Sequence, residues 1–201
     1  MLRVGLTGGL ASGKSFVASA LSKLGCHVIH ADELGHAVLA SGGEAYQQVI
    51  EEFGSGILNT DGSIDRRRLG ALVFDDPERL AVLNSLVHPA VFQRQERWLA
   101  EIAEQDPEGI AVVEAAIMYE TGSDTRYQKI IVAVCTEEQQ IERAMRRDHL
   151  SREEVLARLR RQSPLAEKAA RADYIVDTSG TKQETIRQTE SVYRSLRSLV
   201  Q

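Results

Sequence analysis

The chain has 201 residues, 43% of them hydrophobic and 26% charged, which predicts one soluble α/β domain with insertions. A chain of this length buries its core without disulfides or structural metal. Its net charge of −5 argues against nucleic-acid or anionic-membrane partners, and its five histidines have no metal-ligand spacing.

The first apolar run, Leu2–Leu6, ends in glycines too soon to be a signal peptide, and no later run approaches membrane-spanning length. Its β-branched neighbours predict a strand. The amphipathic segment Phe16–Leu24 predicts a helix, and His27–Ala31 a second strand. About eighty residues then precede the third strand, far more than one crossover helix needs. They read as four helices over Ala45–Phe53, Arg66–Phe74, Pro77–Val87 and Pro89–Glu104, with Asp76-Pro77 as an N-cap and N1 proline. Strands at Ile110–Val113, Ile130–Val134 and Tyr174–Val176 follow. Thr136 with Gln139, Ser151 with Glu154 and Thr181 with Glu184 have capping-box spacing. Short strands separated by helices predict a three-layer fold around a five-stranded parallel sheet. The pattern divides into a core of residues 1–32, 108–142 and 173–201, with a helical insertion at about 33–107 and a charged lid at about 143–172. Cys26 and Cys135 sit in apolar runs and read as buried reduced thiols of a cytoplasmic protein.

Between the first strand and first helix, Gly8-Gly9-Leu10-Ala11-Ser12-Gly13-Lys14-Ser15 satisfies the full G-x-x-x-x-G-K-[ST] pattern. Glycines let backbone N–H groups converge on phosphates at a helix N-terminus. Lys14 is placed to reach the β- and γ-phosphates, and the Ser15 hydroxyl to ligate Mg²⁺. The fate of the third phosphate separates a switch from a transferase. Asp32-Glu33-Leu34-Gly35 and Asp177-Thr178-Ser179-Gly180 imitate a GTPase D-x-x-G segment, but no N-K-x-D guanine reader occurs. Asp32 follows the second strand, at the sheet's carboxyl edge beside the phosphate loop, where a carboxylate accepts the proton of an attacking hydroxyl. On local sequence alone it serves equally as the N-cap of the next helix, and its position favours the catalytic role. The lid contains Arg143, Arg146, Arg147, Arg152, Arg158, Arg160 and Arg161, interleaved with acids. Most read as a solvated helix face, with Arg147 first among the one or two expected at the nucleotide.

With these residues placed, the chain is similar to the dephospho-coenzyme A kinase family almost end to end. The likeness runs through Leu6–Ser15, Ala31-Asp32, Asp61-Gly62-Ser63-Ile64-Asp65-Arg66 with Leu69, Val73-Phe74, Leu83-Asn84 and Val87-His88-Pro89. It continues in Glu120, Arg143, Arg147-Asp148, Arg158 with Gln162, and Lys168–Tyr174. The resemblance implies ATP- and Mg²⁺-dependent transfer of the γ-phosphoryl group to the ribose 3′-hydroxyl of dephospho-coenzyme A. It assigns Asp32, Lys14 and Arg147 to catalysis. Gly8, Gly9, Ala11, Ser12, Gly13, Lys14, Ser15, Phe16, Arg143 and Arg147 fall to the nucleotide, with Ser15 on the metal. Thr7, Asp32, Arg66, His88 and Glu120 fall to the acceptor, although His88 before a proline also suits a helix boundary. The chain departs from the family pattern at His30, Phe16, Ala116 and Thr178. Another small-molecule P-loop kinase and a nucleotide-gated binding module are the competing readings. The partner expected is the small-molecule acceptor, with the protein a monomer or weak homo-oligomer.

Overall fold

A computed structural model describes residues 1–74 and 76–200. The chain divides into two compact units, Met1–Ile29 with Leu99–Gln201, and His30–Trp98. No helix among the described residues is long and apolar enough to cross a membrane.

The first unit is built on a five-stranded parallel sheet. Its strands are β1 (Leu2–Gly8), β2 (His27–His30), β3 (Ile110–Glu114), β4 (Lys129–Val134) and β5 (Tyr174–Asp177), in the spatial order β2-β3-β1-β4-β5. β1 lies centrally, pairing Leu6 with Glu114 on one side and Gly8 with Ala133 on the other. The two-residue period of a strand sends Leu2, Val4 and Leu6 to one face. There they meet Val17, Ala18 and Leu21 of α1 (Lys14–Lys23) and Val192 and Leu196 of α9 (Lys182–Arg197). Ile130 and Val132 of β4 cover the other face with Met118 and Tyr119. α6 (Glu137–Asp148), α7 (Arg152–Leu159) and α8 (Leu165–Ala170) complete this unit.

All three expected capping boxes form. Thr136, Ser151 and Thr181 each accept a bond from the backbone N–H three residues on, and the Gln139, Glu154 and Glu184 side chains reciprocate. Free N–H groups at three helix starts are thereby paired within their own segment, so these boundaries needed no tertiary contact to be read.

The second unit contains α2 (Ala31–Val38), α3 (Tyr46–Phe53), α4 (Arg66–Val73) and most of α5 (Pro77–Gln105). Val38, Val49, Ile57, Leu69, Ala90 and Val91 form its core. One expectation fails here. The two helices predicted on either side of His88-Pro89 are a single helix, α5, with Pro89 inside it. Proline removes one backbone bond and crowds the preceding turn, at a cost of about 3 kcal/mol. Leu83, Leu86 and Val87 before it and Ala90 and Val91 after it all pack on the same core. Burying such side chains contributes roughly 1.5–3 kcal/mol each, which outweighs the local penalty. His88 therefore marks no helix end.

Candidate active site

The phosphate loop joins β1 to α1. Gly13 caps α1 in the left-handed region at φ 85°, and no acidic residue occupies the helix's first turn. The positive helix end is thus left for an external anion. A side chain at Gly13 would be strained by that φ and would press on Thr178 at 2.9 Å. Ala11 also holds a positive φ of 52°, uncommon for a residue with a Cβ. Ser12 is buried and its hydroxyl has no hydrogen-bond partner among the described residues, an orphan suited to a ligand oxygen.

Ser15 donates its hydroxyl proton to Glu114 Oε1 at 2.8 Å. Glu114 closes β3, and the Leu6–Glu114 register brings it beside the loop. Hydroxyl plus carboxylate is the hard oxygen pair that suits Mg²⁺, which takes one or two carboxylates with substrate phosphates rather than a protein cage. Glu114 was not anticipated from the sequence, although an acidic residue ending a buried apolar strand was its signal.

Beside the loop lies a groove of about 290 Å³ lined by Ala11, Gly13, Lys14, Ser15, Phe16, Arg143, Arg146 and Arg147. The three arginines stand at i, i+3 and i+4 on α6, hence on one face. Arg143 donates to the Thr178 hydroxyl at 3.1 Å and to the Thr178 carbonyl at 2.7 Å, while the Thr178 hydroxyl donates to the Ser12 carbonyl at 2.7 Å. The threonine that departs from the family pattern thus ties α6 to the loop. Arg147 makes a two-pronged pair with Asp148 at 2.7 and 2.9 Å. Arg146 joins the groove as well, beyond the two arginines singled out beforehand.

Thr7 and Glu120 are engaged by the first unit itself. Thr7 is buried on β1 and donates to the Ala116 carbonyl at 3.4 Å. Glu120 accepts from the Ser163 N–H at 2.8 Å and pairs with the buried Lys168 ammonium at 2.7 Å. Burial pushes the Glu120 carboxyl up, and the bonds from Lys168 and Ser163 more than reverse that, leaving it below the usual carboxylate range. Lys168 also donates to the Ala116 carbonyl at 2.8 Å.

In the second unit, Asp32 lies exposed in the first turn of α2, and His30 occupies the cap position. The N-cap alternative for Asp32 is thereby removed. Asp61 accepts from the Ser63 N–H and hydroxyl, closing a turn, and Asp65 caps α4 by accepting from the Arg67 and Arg68 N–H groups. This local chemistry sets Arg66 and Arg67 at the wall of a groove of about 590 Å³, with His36, Asn59 and Ser63. His88 stands on α5, its ring 6.1 Å from that of Phe92, and burial pushes its imidazole pKa below the ordinary value.

Comparison with known proteins decides the family. A family model described as dephospho-CoA kinase matches residues 2–184. The chain belongs to the dephospho-CoA kinase family. A dephospho-CoA kinase of Geobacillus kaustophilus is 42% identical over 195 residues, covering 96% of each chain. One from Aquifex aeolicus is 37% identical and covers 98% of both. Among solved structures, TT1252 from Thermus thermophilus superposes with a TM-score of 0.81 at 32% identity, over 96% of each chain. As a dephospho-CoA kinase family member, the chain is an ATP-dependent kinase of coenzyme A biosynthesis, and the binding-module reading falls away. Within that family frame, Glu114, Arg146 and Lys168 are the residues whose placement only the fold disclosed.

Proposed function

We propose that the phosphate loop and the arginine groove of α6 hold ATP, and that Asp32 activates the acceptor, dephospho-CoA, for phosphorylation at its ribose 3′-hydroxyl. The observation that carries this reading is the groove itself. Lys14 and three arginines line it at a helix N-terminus that has no side-chain cap, with the Ser15–Glu114 pair at its edge.

The 3′-hydroxyl oxygen attacks the γ-phosphorus, a new O–P bond forms, and the bond to the β-phosphate oxygen breaks to release ADP. Asp32 accepts the hydroxyl proton as the oxygen attacks. Its exposure in the first turn of α2, free of capping duty, supports this role. Lys14, Arg143 and Arg147 offset charge that spreads over the equatorial oxygens, a positioning and electrostatic task with little covalent chemistry. Ser15 and Glu114 would hold Mg²⁺, which when bound neutralises charge on the β- and γ-phosphates.

On the acceptor side, the groove of the second unit offers Arg66 with Arg67 and His36 to a large anionic substrate. Burial disfavours the charged form of His88, which suits it to a hydrogen bond more than to an ion pair. In this reading residues 1–32, 108–142 and 173–201 serve as the nucleotide-binding core, about 33–107 as the acceptor-binding insertion and about 143–172 as the lid. Both cysteines are free, as a reducing cytoplasm would keep them.

The test is ADP production by the purified protein with ATP and Mg²⁺ across dephospho-CoA, AMP, CMP, gluconate and uridine. Dephospho-CoA is expected to be the fastest acceptor. Faster phosphorylation of AMP or gluconate would overturn the reading.

A further inference from the structure

The crest of the phosphate loop is gripped from two sides. The Leu10 N–H donates to Gln162 Oε1 at 2.8 Å, and the Leu10 carbonyl accepts from Gln140 Nε2 at 2.8 Å. Backbone donor and acceptor are unambiguous, so they fix which end of each amide faces the loop. Gln140 sits on α6, three residues before Arg143, and is almost wholly buried. Gln162 follows α7. The space Gln140 uses exists because residue 9 is glycine, since a Cβ there would stand 2.1 Å from Nε2. The Leu10 and Ala11 side chains pack on Ile141, Ala144 and Val155 of the same two helices.

The Leu10 N–H belongs to one peptide plane and its carbonyl to the next. Holding both fixes the torsions between them and aims the amides from Ala11 onward, where the positive φ of Ala11 turns the chain. We propose that Gln140 and Gln162 are positioning residues that form an amide clamp, through which α6 and α7 set the geometry of the phosphate loop for transfer. The clamp rests on the phosphate-site reading above. It also explains why the arginine groove and the loop stay in register, since α6 carries both Gln140 and Arg143.

Gln162 must supply an acceptor and Gln140 a donor, which gives the test its discrimination. Steady-state kinetics with ATP and dephospho-CoA, with melting curves, are compared for the wild-type protein, Gln162→Ala, Gln162→Glu and Gln140→Glu. Gln162→Ala is expected to lower kcat by about 10–100-fold, as a slightly misplaced reacting group does. Its KM for dephospho-CoA should stay within about twofold, because α6 and α7 bear on the phosphate end of the reaction. Its melting temperature should fall by about 2–4 °C, the loss of one hydrogen bond. Gln162→Glu keeps an acceptor and should recover most of the lost turnover, whereas Gln140→Glu loses the donor and should not. Equal losses in the two glutamate variants would mean that added charge, not the clamp, sets the rate. Wild-type kcat in Gln162→Ala would also overturn the proposal. A Gln162→Ala protein that fails to fold leaves the two glutamate variants to decide in the same way. A wild-type protein inactive on dephospho-CoA would instead refute the function proposed above.

Discussion

His88 illustrates how one side chain's surroundings translate into a measurable pH effect. Burial disfavours its charged form, so its folded pKa lies below the unfolded value of about 6.5. The unfolded chain then binds more protons as pH falls through this window, and stability is lost on acidification from about 6.5 downward, while it is fully present above. Melting temperatures of the wild type and His88→Gln between pH 7.5 and 5 are expected to diverge, the wild type falling more steeply. Parallel curves would show that the histidine's burial has no such consequence. At the same scale, the residues that sequence could reveal are those whose chemistry is local. The phosphate loop announces itself because glycines, lysine and serine must stand at fixed spacing along one turn. Glu114 does not, because its link to Ser15 exists only once β3 pairs beside β1. Lys168 reads as an ordinary charged helix residue until the fold buries it against Glu120 and the Ala116 carbonyl.

Among elements, the capped helices α6, α7 and α9 were legible at their first residues, because each box satisfies its own N–H groups. α5 was misread for the complementary reason. Proline is a local signal, and the apolar packing that overrides it is not. Pro89→Ala is therefore expected to add a backbone bond and raise stability by about 1–3 kcal/mol, less the smaller gain in unfolded-state freedom. Urea unfolding measures it directly, and a destabilised Pro89→Ala protein would mean that the proline is itself required by the packing. α6 carries more than its sequence promised. Its arginines read as a solvated face with one or two exceptions, whereas Arg143, Arg146 and Arg147 all reach the groove. The same helix contributes Gln140 to the loop crest. A helix whose second half alone was assigned to the lid is also part of the loop's support.

For the whole molecule, fold class, strand number and strand direction were all legible, because buried parallel strands read as short β-branched runs between helices. Family membership followed from motifs spread along nearly the full chain, and the match over residues 2–184 bears it out. What remains proposed is the assignment of roles, and above all that the carboxylate of Asp32 takes the acceptor's proton. Single-turnover transfer from ATP to dephospho-CoA by the wild type and Asp32→Asn, with ATP affinity measured alongside, tests this most directly. Asp32→Asn is expected to lower the rate by about 10²–10⁴-fold with ATP binding nearly intact. An Asp32→Asn protein that transfers phosphate at the wild-type rate would contradict it.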